Sequence, residues 1–274
     1  MCADFVAETK PIITAVRTTP LIEAREVSFA YSAAPIIIDA SLALARGAMG
    51  ALIGANGSGK STLIRLLGGL LEPLSGSILL NGAPLASLDP RERAKCVAYV
   101  PQASLSVFPF TALEVVLTGR SPYSGRFGFE NARDEEIALE ALGALDAAHL
   151  ADRPITELSG GEKQLVTVAR ALAQEPELML LDEPASFLDI KHRTQLIRAL
   201  RRLRDERGIA VLMITHDLML VEQTFDVVYA MKLGRVVRGG TPETVLVDTV
   251  LGSVYDAPVR TMRSDGRIFV WSEL

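Results

Sequence analysis

Residues Gly54-Ala55-Asn56-Gly57-Ser58-Gly59-Lys60-Ser61-Thr62 fit the pattern G-x-x-x-x-G-K-[ST]. Glycines let a backbone curl so that successive N–H groups point inward, and the first turn of a following helix adds positive potential. Together they cradle phosphate. In such a cradle Lys60 reaches the β- and γ-phosphate oxygens of ATP and the Ser61 hydroxyl ligates Mg²⁺. A second constellation is Asp182-Glu183, delivered by the apolar run Leu178 to Leu181. Asp182 is suited to hold Mg²⁺, directly or through water, and Glu183 to accept a proton from an attacking water. Away from a phosphate loop, the same pair is an ordinary solvated turn.

Three further places carry polar groups at strand or helix ends. Ser159, Gly160, Gly161 and Glu162, in Leu158-Ser159-Gly160-Gly161-Glu162, open a helical pattern. They read either as an anion site or as a capping box. Gln102 follows a strand and a proline, within reach of Mg²⁺ or the attacking water, and His216 ends an apolar strand where a γ-phosphate contact is possible. Tyr31 closes the first strand region and offers a flat ring to an adenine base. A lone Gln or His at such a place is more often structural, and an isolated Tyr is usually just half-buried.

These residues need a scaffold that brings them to one edge. Alternation predicts strands over 21–31 and 36–44; an apolar run predicts a buried strand over 48–53 and a Leu/Ile pattern a helix over 62–71. A strand between turns is expected within 75–82, a helix over 89–95 and a strand over 97–100. Residues 103 to 155 lose the strand signal, with short and long helices expected over 111–118 and 131–148. With the helix after Leu158 they form an all-helical subdomain of about 103–175. Alternation returns with strands at 178–181, 210–215, 227–231 and 235–238 around a helix at 192–207. This pattern predicts an α/β fold with a mostly parallel sheet. The proposed divisions are a loosely held tail (1–20), the main domain (21–252) and a short C-terminal extension (253–274).

The 274 residues carry 28 basic and 33 acidic side chains, a net charge of -5. With no basic block to neutralise a run of phosphates, an electrostatically driven nucleic-acid binder is disfavoured. The two cysteines, Cys2 and Cys96, have no metal-ligand or redox spacing, which fits a reducing cytosol. No run approaches the ~18 uninterrupted apolar residues of a membrane span, and neither a signal peptide nor a lipoprotein signal is expected.

In order along the chain, Tyr31, the loop 54–62, Gln102, Leu158 to Glu162, Asp182-Glu183, Ser186-Phe187-Leu188-Asp189 and His216 resemble the ATP-binding cassette (ABC) ATPases over about residues 21 to 250. The Leu-Ser-Gly-Gly-Glu cluster is the most specific sign. Ala55 and Ala185 stand where proline and threonine are frequent in that family, and neither position supplies a catalytic side chain. The resemblance implies a phosphate-loop core with an antiparallel β subdomain and an all-helical signature subdomain. It also implies an ATPase in which Tyr31 stacks adenine, Lys60 and Ser61 contact phosphate and Mg²⁺, and Gln102 links the helical lobe to the site. In the same family pattern Ser159 to Glu162 face ATP held by a second copy. Asp182, Glu183, Asp189 and His216 match the metal ligand, the catalytic carboxylate, the dimer-contact aspartate and the switch histidine. The implied assembly is a homodimer sandwiching two ATP molecules under two integral-membrane permease subunits, peripheral to the cytoplasmic face of the inner membrane. Phe110 to Tyr123, Gly125 to Gly128, Leu150 to Pro154 and the tail from Val254 resemble importers of ferric siderophores, haem and cobalamin, which act with a periplasmic or extracellular binding protein. Molybdate or tungstate importers share much of this pattern, and efflux or soluble cassette ATPases are the remaining alternatives. Apolar residues Val107, Phe108, Phe110, Phe127 and Phe129 suit a groove for a partner helix, or simple packing of a small lobe.

Overall fold

The computed structural model describes residues 19–102, 109–124, 132–186, 188–264 and 267–272. The first half runs β1 (Pro20–Phe29), β2 (Ile37–Ala45), β3 (Met49–Gly54), α1 (Lys60–Leu67), β4 (Ser75–Leu80), β5 (Ala83–Pro84), α2 (Pro90–Cys96), β6 (Val97–Val100), α3 (Ala112–Leu117) and α4 (Ala132–Ala144). The second half runs α5 (Gly160–Leu172), β7 (Leu178–Leu181), α6 (Ile190–Arg207), β8 (Ala210–Ile214), α7 (Leu218–Thr224), β9 (Val227–Lys232), β10 (Arg235–Gly240), α8 (Pro242–Val245), α9 (Asp248–Tyr255), β11 (Val259–Ser264) and β12 (Arg267–Ser272).

The main sheet has the order β10-β9-β3-β8-β7-β6, parallel except for the β10–β9 pair. Every residue of β3, β7 and β8 is buried, which is why these strands read as unbroken apolar runs. Their side chains alternate between two cores. Met179 and Leu181 face the core shared with α5 and α6, whereas Leu178 and Leu180 face the core shared with α1 and the antiparallel sheet β2-β1-β4-β5. At about 2 kcal/mol per large buried side chain, the four residues of β7 hold its end firmly in place. Val100, Leu181 and Met213 lie in register on β6, β7 and β8. Gln102, Asp182-Glu183 and His216 therefore leave the sheet at the same carboxyl edge as the loop after β3, where such sheets bind ligands.

The helices α3, α4 and α5 pack on one another in a helical group that shares one apolar core with β3, β7 and β8 of the sheet. Its polar anchor is Arg120, which is 4% exposed. The guanidinium donates to Asp134 at 2.9 Å, to Glu175 at 2.8 Å and to the Ala173 carbonyl at 2.7 Å. The Tyr123 ring covers it, 3.9 Å from centroid to Cζ. Removing one side of a buried pair of this kind costs about 3–5 kcal/mol, so the cluster locks the segment after α3 to α4 and to the end of α5.

Several boundaries differ from the sequence reading. Helix α1 begins at Lys60, because Gly59 (φ 100°) turns the chain straight into it, and stops at Leu67 before Gly68 and Gly69 (φ 66°). Strand β1 ends at Phe29, so Tyr31 lies beyond it, and α4 ends at Ala144 ahead of Asp146, which is left-handed at φ 52°. The helix α9 runs across position 252, and the hairpin β11–β12, which the sequence did not announce, packs on α7 and α9. The tail 1–18, Val107, Phe108, Phe127, Phe129 and Phe187 lie outside the described residues.

Candidate functional site

The loop after β3 is built so that only glycine fits its ends. At Gly54 (φ 148°) a Cβ would sit 2.3 Å from the Met231 carbonyl oxygen, and at Gly59 it would sit 2.8 Å from the Ile37 side chain. Gly59 then starts α1 with no side-chain cap, which leaves the first helical N–H groups without that partner. Lys60 is 6% exposed, and its ammonium donates to the Gly54 and Ala55 carbonyls at 2.9 Å each. Burial pushes the Lys60 pKa down, against the pull of the Glu183 and Asp182 charges. The Ser58 hydroxyl is buried without a hydrogen-bond partner among the described residues. A cleft of about 610 Å³ opens here, lined by Asn56, Gly57, Lys60, Ser61, Gln102, Glu183 and His216 among others. An ammonium, an unspent hydroxyl and an uncapped helix start suit a polyanion such as a nucleotide triphosphate.

The carboxylates meet this loop from β7. Ser61 Oγ donates to Asp182 Oδ1 at 3.0 Å, and the Tyr99 hydroxyl donates to Oδ2 at 3.3 Å. Asp182 is 2% exposed; burial pushes its pKa up, and the two hydrogen bonds oppose that rise. Hard oxygen donors side by side, Ser61 Oγ and the Asp182 carboxylate, fit the ligand preference of Mg²⁺. Glu183 has φ 49°, the left-handed region that non-glycine residues seldom occupy outside functional turns. Its Oε2 accepts from Gln102 Nε2 at 3.0 Å and from Ser186 Oγ at 2.8 Å, and its Oε1 lies 2.8 Å from His216 Nε2. Burial works to raise the Glu183 pKa, but the hydrogen bonds from Ser186 and His216 and the positive charge nearby outweigh it. The carboxyl is held below its ordinary range. Glu183 is thus an ionised acceptor at the mouth of the cleft, able to take a proton.

Other predicted residues are not brought into this cleft. Ser159 accepts from the Glu162 backbone N–H at 3.3 Å while the Glu162 carboxylate accepts from the Ser159 backbone at 2.8 Å, a complete capping box at the start of α5. The Ser159 hydroxyl also donates to Glu162 at 2.8 Å. Those two bonds from Ser159 hold the Glu162 pKa down. Gly161 packs against α6 so closely that a Cβ would lie 2.8 Å from the His192 ring. Asp189 caps α6, accepting from the His192 backbone at 2.8 Å, with the His192 ring nitrogen 2.9 Å away. Neither cluster lines the cleft. Tyr31 is 54% exposed and stands edge-on to Phe29, with ring centres 4.8 Å apart. Gln102 meets Glu183 rather than Ser61 or Asp182.

Two participants escaped the sequence reading, Tyr99 and His192, and the bond from Ser186, a residue it named, to Glu183 was not foreseen. Tyr99 was detectable as the one polar handle in the otherwise apolar strand Val97-Ala98-Tyr99-Val100. Ser186 sits three residues after Glu183, the spacing of a turn that folds back on its first residue. His192 carries no such signal, because a polar residue near a helix start is ordinary.

The fold and cleft define a phosphate-loop ATPase. The family model for ABC transporters matches residues 37–186, and the chain belongs to that family as an ATP-binding, ATP-hydrolysing cassette. Among curated relatives, the chain is 40% identical over 247 residues to the hemin import ATP-binding protein HmuV of Chelativorans sp., covering 88% of this chain and 93% of that protein. It is 35% identical to the iron(3+)-hydroxamate import ATP-binding protein FhuC of Bacillus subtilis, covering 86% and 88% respectively. Among solved structures, it resembles a subunit of an inward-facing ABC transporter proposed to be of the metal-chelate type (TM-score 0.80, 29% identity, 92% of this chain and 96% of that one). It also resembles a dimeric ATP-binding cassette holding ADP and phosphate (TM-score 0.71, 28% identity, 81% of this chain and 98% of that one). Among the described residues no helix is long and apolar enough to cross a membrane.

Proposed function

We propose that this chain is the energising subunit of an importer for a metal chelate of the ferric siderophore, haem or cobalamin type. It would work as a homodimer beneath two integral-membrane permease subunits, at the cytoplasmic face of the membrane, with a substrate-binding protein delivering cargo from outside. The observation that carries the transport class is full-length similarity to hemin and iron-hydroxamate import subunits, at 93% and 88% of their lengths. The dimer is supported by the likeness to a dimeric cassette holding ADP and phosphate, and it fits the placement of Ser159 to Glu162 and Asp189 outside their own chain's cleft.

In this reading the loop Gly54 to Thr62 wraps the phosphates, and Lys60 exchanges its two loop carbonyls for phosphate oxygens. The adenine base lies on the Tyr31 ring. Ser61 and Asp182, with Gln102 nearby, would hold Mg²⁺, which neutralises phosphate charge when bound. Glu183, ionised, takes the proton of the attacking water. His216, 2.8 Å from Glu183, orients that carboxylate and reaches toward the γ-phosphate side of the cleft. Gln102 donates to the same carboxylate at the start of the helical lobe and so senses whether that lobe has moved.

Uptake in cells carrying Lys60→Ala in place of the native chain tests the proposal. Labelled ferric siderophore, haem, cobalamin and molybdate are supplied in parallel. We expect the uptake of one metal chelate to fall by about 100-fold or more, as befits the loss of a buried phosphate-binding charge. Loss of molybdate uptake alone would move the assignment to an oxyanion importer. Unchanged uptake of all four would contradict import of this class.

A further inference from the structure

Both oxygens of the Asp182 carboxylate are engaged, Oδ1 by Ser61 and Oδ2 by Tyr99. If Ser61 turns its oxygen to a cation, it gives up its bond to Asp182, and the Tyr99 hydroxyl is then the side-chain donor left on that carboxylate. Tyr99 lies on β6, directly paired with Leu180 of β7 two residues before Asp182. Its phenol oxygen accepts from Arg65 Nε at 3.4 Å, on α1 five residues beyond Lys60. A polar chain, Arg65–Tyr99–Asp182, thus runs from α1 across β6 to the carboxylate at the end of β7.

We propose that Tyr99 and Arg65 are positioning residues for Asp182. A phenol has one proton to give, and an arginine N–H on its oxygen leaves that proton directed at Asp182. Tyr99 then fixes the rotation of the Asp182 carboxylate. The distances, 3.3 and 3.4 Å, are at the long end for hydrogen bonds, as contacts in a ligand-free site often are before substrate draws them in. This inference rests on the reading of Asp182 as the magnesium carboxylate.

The test uses the full chain and the ratio of affinities for a fluorescent ATP analogue in Mg²⁺ and in EDTA. Tyr99→Phe keeps the ring and removes the hydroxyl. The Mg²⁺ enhancement should fall about tenfold, the scale of losing an outer-shell partner, with EDTA affinity and melting temperature unchanged. Arg65→Met should lower the enhancement about threefold, and the double variant by no more than Tyr99→Phe alone, since both act on one proton. A wild-type enhancement in both single variants would overturn the proposal. Asp182→Asn separates the two claims: if it too keeps the wild-type enhancement, the reading of Asp182 as metal carboxylate fails first.

Discussion

Helix α1 opens on Gly59 with no side-chain cap, beside the buried Lys60 ammonium and the unpartnered Ser58 hydroxyl. Helix α5 opens on Ser159, whose hydroxyl and the Glu162 carboxylate close a capping box, while Gly161 is pressed against His192. Both starts are Ser- and Gly-rich, and both sequences suit an anion. In the first, Gly59, Lys60 and Ser61 line a cleft at an uncapped helix start; in the second, serine hydroxyl and glutamate carboxylate are already paired within the chain. A glycine-rich helix start offers a ligand site within its own chain where the fold withholds its local partners. The first half-site can bind by itself. The second has its hydroxyl and carboxylate bound to each other.

Removing the cap sharpens this contrast. Ser159→Ala should cost about 1 kcal/mol of stability through loss of the cap bond and lower the melting temperature by about 2–4 °C. ATP affinity of the isolated monomer should stay at the wild-type value while steady-state hydrolysis falls. A weakened monomer affinity would break the comparison, because it would mean that the signature touches its own cleft.

The smallest effect concerns the open half-site, which stores an unfavourable charge. Asp182 has its pKa raised by burial, so the stabilising contribution of its neutral form is complete below about pH 4 and is lost as pH rises through its folded-state value. Asp182→Asn should therefore melt higher than wild type at pH 8, by up to about 1 kcal/mol equivalent, with the advantage vanishing near pH 4. Glu183 has the opposite sign: its lowered pKa contributes stability above about pH 4 that is lost on acidification. An Asp182→Asn variant less stable at pH 8 would contradict the view of this site as strained in favour of function.

The strands that carry the chemistry were legible because fully buried parallel strands leave uninterrupted apolar runs, as in Leu178 to Leu181 and Ala210 to Ile214. The loop 54–62 was legible because its glycines answer steric demands visible at Gly54 and Gly59. Less visible were contacts made across long sequence separation. Nothing local announces that Tyr99 reaches Asp182, that His192 lies on Gly161, or that Arg120 is buried against Asp134 and Glu175. The hairpin Val259–Ser264 with Arg267–Ser272 was missed because only its inward side, chiefly Ile268, is well buried. The choice between cap and anion site at Ser159 could not be read from spacing, since both use the same residues.

The central claim is that one cleft is completed by the signature surface of a second copy, and sedimentation of Glu183→Gln with and without MgATP tests it most directly. Glutamine keeps the shape of the side chain but cannot accept the proton, so hydrolysis should drop by at least about 100-fold and bound ATP should persist. The account predicts a monomer without nucleotide and a dimer carrying two ATP molecules with it. A Glu183→Gln chain that binds ATP tightly and still sediments as a monomer would contradict it.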